Sequence, residues 1–167
     1  MPPPGTAWDR RSQSVWRHTL GKPQSDDELV FSLPDQEDIV LAIGTLPGPG
    51  GGRLRITVRN GNNRTRGLWI APLVAGKPAR EVVKAIEIGF LYLGAEGDTV
   101  YAITRRDAPR GRIVRFKMDD GAPGAWQTII AEGEGVIDAA IILRDHIVVR
   151  RIENVGHKLT VHDKEGR

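Results

Sequence analysis

The sequence contains no cysteine. That absence removes disulfides, thiolate metal ligands and cysteine nucleophiles together. Serine is scarce: Ser12, Ser14, Ser25 and Ser32 are the only four, all within the first 32 residues. None has glycine two positions before it, so the Gly-x-Ser-x-Gly elbow that lifts a nucleophilic hydroxyl above a hydrolase sheet is missing. No run approaches the ~20 apolar residues of a membrane-spanning helix. Met1 to Arg11 lacks the apolar core of a secretory signal, and the expected location is cytoplasmic.

What is present is the composition of one globular domain or part of one: 167 residues, 40% hydrophobic and 27% charged. The basic surplus is small, 24 Lys plus Arg against 21 Asp plus Glu, and 18 of the basic residues are arginine. Five of these, Arg105, Arg106, Arg110, Arg112 and Arg115, fall close together, with Tyr101 and Phe116 as the nearby aromatic residues. A single-stranded nucleic-acid groove interleaves aromatic platforms with its cations. Here that interleaving is thin, and the arginines read as a solvated strand-and-turn face. Neither nucleic acid nor membrane is an expected partner.

The periodicity is that of strands. In Arg53 to Arg59, Leu54, Ile56 and Val58 alternate with Arg53, Arg55, Thr57 and Arg59, which predicts one buried and one wet face. Lys158 to His162 alternates in the same way, with Leu159 and Val161 as the apolar set. Turn signals separate the runs: Asn60-Gly61, Glu96-Gly97-Asp98, Asp119-Asp120-Gly121 and Lys164-Glu165-Gly166. About thirteen short strands are expected, and no helix. The fold class is all-β.

A repeat refines this. Gly67, Gly111 and Gly156 each open a strand, at separations of 44 and 45 residues, and Leu54, Val100 and Ile147 recur one strand earlier. Four short strands every ~40–50 residues is the pattern of a β-propeller blade. A β-sandwich spaces its strands similarly but does not predict the four-strand period. The expected architecture is a partial β-propeller: a tail over residues 1–13, then a propeller segment over 14–167 with blades near 28–73, 81–118 and 127–163. Ser14 to Leu20 reads as the closing strand of a preceding blade. Three blades do not close a ring, since propellers need ~4–8, so more chain or a partner is expected.

The blade sequences resemble those of the prolyl oligopeptidase family. The resemblance rests on LGKPQSDDELVF (Leu20–Phe31), DAPRGRIVRFKMDD (Asp107–Asp120), WQTIIAE (Trp126–Glu132) and LTVHDKEG (Leu159–Gly166), in the family's order. It covers roughly Val15 to Arg167 and implies a central stretch of a seven-bladed N-terminal propeller. Lys22, the Pro47–Gly52 turn and Gly156-His157 depart from the family's usual residues at those places. The resemblance also implies a C-terminal α/β-hydrolase catalytic domain with a Ser/Asp/His triad, acting after proline in short peptides. In such enzymes the propeller limits access to the active site.

No catalytic, cofactor-binding or metal-binding residue is assigned within these residues, and no cofactor is expected. His18, His146, His157 and His162 are scattered, and His157 and His162, five apart on one strand, would face opposite sides. Asp26-Asp27-Glu28 lacks the spacing of a calcium loop. Gly48 to Gly52 lacks the Gly-Lys-Ser/Thr of a phosphate cradle. Trp16, Trp69 and Trp126 read as blade packing. The functional expectation is the access-limiting propeller part of a serine-type endopeptidase, inactive alone. The alternative is a stand-alone propeller-type interaction module without catalysis.

Overall fold

The computed structural model describes residues 13–34, 39–48, 51–60, 65–84 and 89–167. The tail over residues 1–12, with Ser12, and the Gly61 half of the Asn60-Gly61 turn lie outside them. Among the described residues there are thirteen strands and no α-helix. They are β1 (Ser14–Arg17), β2 (Glu28–Ser32), β3 (Ile39–Leu46), β4 (Arg53–Asn60), β5 (Thr65–Pro72) and β6 (Arg80–Val83). The series continues with β7 (Phe90–Glu96), β8 (Thr99–Thr104), β9 (Arg112–Lys117), β10 (Gln127–Ile130), β11 (Val136–Ile142), β12 (His146–Glu153) and β13 (Gly156–Asp163).

Hydrogen bonding sorts the strands into four sheets, ordered β1-β2, β3-β4-β5-β6, β7-β8-β9-β10 and β11-β12-β13. Spatial order follows chain order in each, so hairpins suffice as connections. The sheets and the sequence repeat differ in phase by one strand. Units beginning at residues 28, 81 and 127 would group β2, β6 and β10 with the strands that follow them. The ladders instead join β2 to β1, β6 to β5 and β10 to β9. A period fixes the length of a repeating unit and leaves open where it is cut. The strand read over Ser14 to Leu20 is β1, which lies in a sheet before β3 and pairs there with β2.

The chain divides into two compact units, residues 1–81 and 82–167. In the first, Val15, Val30 and Phe31 of the β1-β2 sheet share one core with Ile39, Ile56, Val58 and Ala71. Phe31 and Trp69 meet there with ring centroids 5.3 Å apart. The predicted wet face of β4 is not wet at its centre. Thr57 is 2% exposed and accepts a hydrogen bond from Arg55 at 2.7 Å. A strand covered on both faces loses the alternation of exposure that its sequence suggests.

In the second unit, Tyr101, Ile103 and Ile113, with Ile129 and Ile130, pack against Ile137, Ile147 and Val149. Behind Phe90, the Trp126 ring lies 5.5 Å from Phe116 and donates its Nε1–H to the Gly121 carbonyl at 3.0 Å. The link from β10 to β11 is clamped from two sides. Arg110 donates its backbone N–H to Glu132 at 2.5 Å and its guanidinium to the Glu134 carbonyl at 2.9 Å. Buried Arg151 reaches the Gly135 and Ala131 carbonyls at 3.1 and 3.0 Å. The last strand departs most from expectation. Leu159 and Val161, read as its buried face, are 66% and 64% exposed.

Candidate functional site

The structure brings three residue types of hydrolytic chemistry into one cleft. Ser14, Trp16, His18, Gln24 and Asp27 line an open cavity of about 470 Å³. His18 Nδ1 lies 2.7 Å from Asp27 Oδ1, so the imidazole is oriented by a carboxylate. Ser14, however, accepts a hydrogen bond from Trp16 Nε1 at 2.8 Å. It stands four residues from His18 along an extended segment, roughly 13 Å at the rise of a strand. Nucleophilic catalysis requires serine and base within hydrogen-bond reach. This cleft holds an oriented histidine without a nucleophile.

The other described serines, Ser25 and Ser32, offer no substitute. Ser25 sits in the 3-10 turn Gln24–Asp26, where its hydroxyl donates to Asp26 at 3.3 Å, and Ser32 ends β2. His157 pairs across from Ile152 and His162 from Ile147, an odd offset that puts the two on opposite faces. His162 is held by Thr160 and the Gly166 carbonyl, at 2.9 and 3.2 Å. Asp26 and Asp27 enter that turn's end, and Glu28 accepts from Arg17 at 2.9 Å and from the Gly76 N–H at 2.7 Å. Among the described residues no three His, Asp or Glu side chains gather at metal-binding spacing.

The five arginines do not share a face. Arg105, Arg106 and Arg110 belong to the hairpin between β8 and β9, while Arg112 and Arg115 stand three apart on β9 and so point oppositely. Arg115 donates to Gln127 at 2.9 Å and to the Lys164 carbonyl at 3.3 Å. Tyr101, beside it, carries a phenol whose pKa burial pushes up, with the Glu96 charge adding to the rise. Lys164 pairs with Glu96 and lies 5.1 Å from the centre of the Tyr101 ring. These cations join strands rather than line a groove. Trp69 and Trp126 are packing residues, and Trp16 borders the cleft.

The sheets are the chain's defining feature, with no Ser/His/Asp triad assembled among the described residues, and the sequence matches one family model along its entire length. Residues 1–167 fit the prolyl oligopeptidase N-terminal β-propeller domain. The chain belongs to the prolyl oligopeptidase family. The prolyl endopeptidase of Elizabethkingia meningoseptica is 26% identical over 121 residues, 71% of this chain and 16% of that protein. Prolyl oligopeptidase A of Amanita bisporigera is 24% identical over 162 residues, 93% of this chain and 21% of that protein.

Solved structures give the same fold. One comes from a study of two prolyl endopeptidases and the role of inter-domain dynamics in their catalysis and specificity. It superposes with a TM-score of 0.74 at 23% identity, over 94% of this chain and 23% of that one. Prolyl oligopeptidase B from Galerina marginata superposes at 0.68 with 18% identity, over 93% and 22%. This prolyl oligopeptidase-family chain is therefore a partial β-propeller, about a fifth of the length of those relatives.

The pairing of β2 with β1 and of β10 with β9 was not visible in the sequence. The signal that could have found it is Arg17 opposite Glu28 and Arg115 opposite Gln127, in matching places of the repeat.

Proposed function

We propose that the chain serves as the access-limiting propeller of a serine-type endopeptidase that hydrolyses short peptides after proline. The catalytic Ser/Asp/His triad belongs to an α/β-hydrolase domain outside these residues. The observation that carries the reading is the family match over residues 1–167, together with described serines and histidines that form no triad. Specificity then arises by exclusion: a folded protein cannot pass the propeller, whereas a short unstructured peptide can, and the cover keeps bulk water from the chemistry. Such a role needs stable sheets, and the middle strands carry fully buried residues such as Ile56, Val100, Ile113 and Ile147.

Two assays test this. Purified chain should leave a Gly-Pro-linked chromogenic peptide uncleaved. The native enzyme containing it should cleave a short proline peptide and spare the same bond inside a folded protein. Activity surviving stringent purification of the chain, or equal cleavage of both substrates by the enzyme, would refute the reading.

A further inference from the structure

Two arginines make the same pair of bonds in different sheets. Arg17 on β1 donates from Nη1 to Glu28 Oε2 at 2.9 Å and from Nη2 to the Pro72 carbonyl at 3.3 Å. Arg115 on β9 donates from Nε to Gln127 Oε1 at 2.9 Å and from Nη1 to the Lys164 carbonyl at 3.3 Å. In each case the first acceptor is the arginine's ladder partner on the outer strand, β2 or β10. The second acceptor belongs to the following sheet. Pro72 ends β5 and Lys164 follows β13, and both strands stand third in their sheets. Each guanidinium therefore spans two sheets inside one compact unit.

Neighbouring groups repeat the junction. Glu28 also accepts the Gly76 N–H from the turn after β5 at 2.7 Å, and the Glu165 carboxylate after β13 stands 4.0 Å from Arg115. The Val30 carbonyl accepts the Ala79 N–H at 3.4 Å, and a Cβ on Gly166 would strike the Ile129 carbonyl. Val30 and Ile129 are the residues skipped where the β1-β2 and β9-β10 registers shift. Beneath each fork the two sheets share an apolar core. The fork is not a requirement of the repeat. The residues after Leu54, Val100 and Ile147 are Arg55, Tyr101 and Val148, and they lie opposite Ile70, Arg115 and Val161. Where an arginine stands, its planar group can serve two acceptors at once, as a lysine ammonium cannot with the same geometry.

We propose that Arg17 and Arg115 are positioning residues for substrate exclusion. By tying an outer strand to the next sheet, each keeps the rim of its junction closed and so sets how bulky a substrate the propeller admits. The inference rests on the access-limiting reading above and adds which residues fix the limit. Both forks are partly exposed and lie over buried apolar contacts, so losing one frees the rim while the sheets persist. A short peptide does not depend on that limit and reacts as before.

The test uses the native enzyme that contains these residues, with Arg115→Ala, Arg115→Lys and, at the other junction, Arg17→Lys. Two substrates carry the same proline bond, one in a short peptide and one inside a folded protein. kcat/KM for the short peptide should be unchanged. Cleavage of the folded substrate should rise about fivefold, the weight of one hydrogen bond in a local opening equilibrium. The lysine forms should behave as the alanine form does, because charge alone does not bridge two acceptors. Amide exchange should quicken at Glu165 and Gly166 in the Arg115 variants and stay slow at the fully buried Ile113 and Ile147. If Arg115→Ala does not fold, Gln127→Leu, which removes one anchor of the fork, should give the same split between substrates. Equal loss on both substrates, exclusion unchanged in every variant, or exclusion preserved by the lysine forms would overturn the proposal. Those outcomes leave the access-limiting reading standing, since it is tested on the unaltered enzyme.

Discussion

At the scale of single residues, backbone geometry makes the sharpest predictions. Val155, at the tip of the β12–β13 hairpin, has φ +65°. A β-branched residue is disfavoured there, and its side chain is fully exposed. Val155→Gly should raise stability by about 1 kcal/mol, read from thermal melts. The opposite holds at Gly121 and Gly166. A Cβ on Gly121 would strike the Val82 carbonyl, and one on Gly166 would strike the Ile129 carbonyl. Each Gly→Ala change should cost about 1–3 kcal/mol, and an unchanged melt would show that those turns can relax.

Charge gives a second residue-scale prediction. Hydrogen bonds from Arg150, at 2.7 and 3.0 Å, hold the Asp138 carboxyl below its ordinary 3.8. The folded state therefore favours the charged form. That contribution is complete above the unfolded value and is lost as pH falls through the lowered folded one. Asp163, held down chiefly by the Arg167 backbone N–H, adds an effect of the same sign. The melting difference between the chain and Asp138→Asn should shrink as the pH drops below 3.8. A difference that grew on acidification would contradict the assignment.

At the scale of elements, middle strands carry the packing. Ile147 on β12 and Ile113 on β9 are fully buried in one core, so truncation of either to Ala should cost about 2–5 kcal/mol by denaturant unfolding. Arg115, which ties β9 to β10, is partly exposed, hydrogen-bonds neutral acceptors and stands 4.0 Å from the half-exposed Glu165 carboxylate, so Arg115→Ala should cost less, about 1 kcal/mol. Strand existence was legible because Leu54, Ile56 and Val58, and again Leu159 and Val161, keep a period of two. Which face is covered was not legible, because that depends on the neighbouring sheet. Thr57 is buried against expectation, while Leu159 and Val161 are exposed. Sheet boundaries were illegible for a related reason, since β6 and β10 could close one blade or open the next until their ladders were known. The Ser14, His18 and Asp27 cleft needed the turn at Gln24–Asp26, whose return path no local pattern specifies.

At the scale of the whole molecule, the surfaces that matter are those a complete propeller would cover. Ile141, Ile152, Leu159 and Val161 are exposed large apolar residues on β11, β12 and β13. Apolar surface gathered in this way drives association. The isolated chain should therefore self-associate in sedimentation as its concentration rises, and Leu159→Lys should weaken that association without lowering the melt. The most direct measurement of the central claim is the intact mass of the native product, captured from its source with an antibody against these sheets. A species several times heavier than 18.3 kDa that carries a Gly-x-Ser-x-Gly segment is the predicted result. A native product of 18.3 kDa would contradict it, leaving a propeller segment with no catalytic domain to serve.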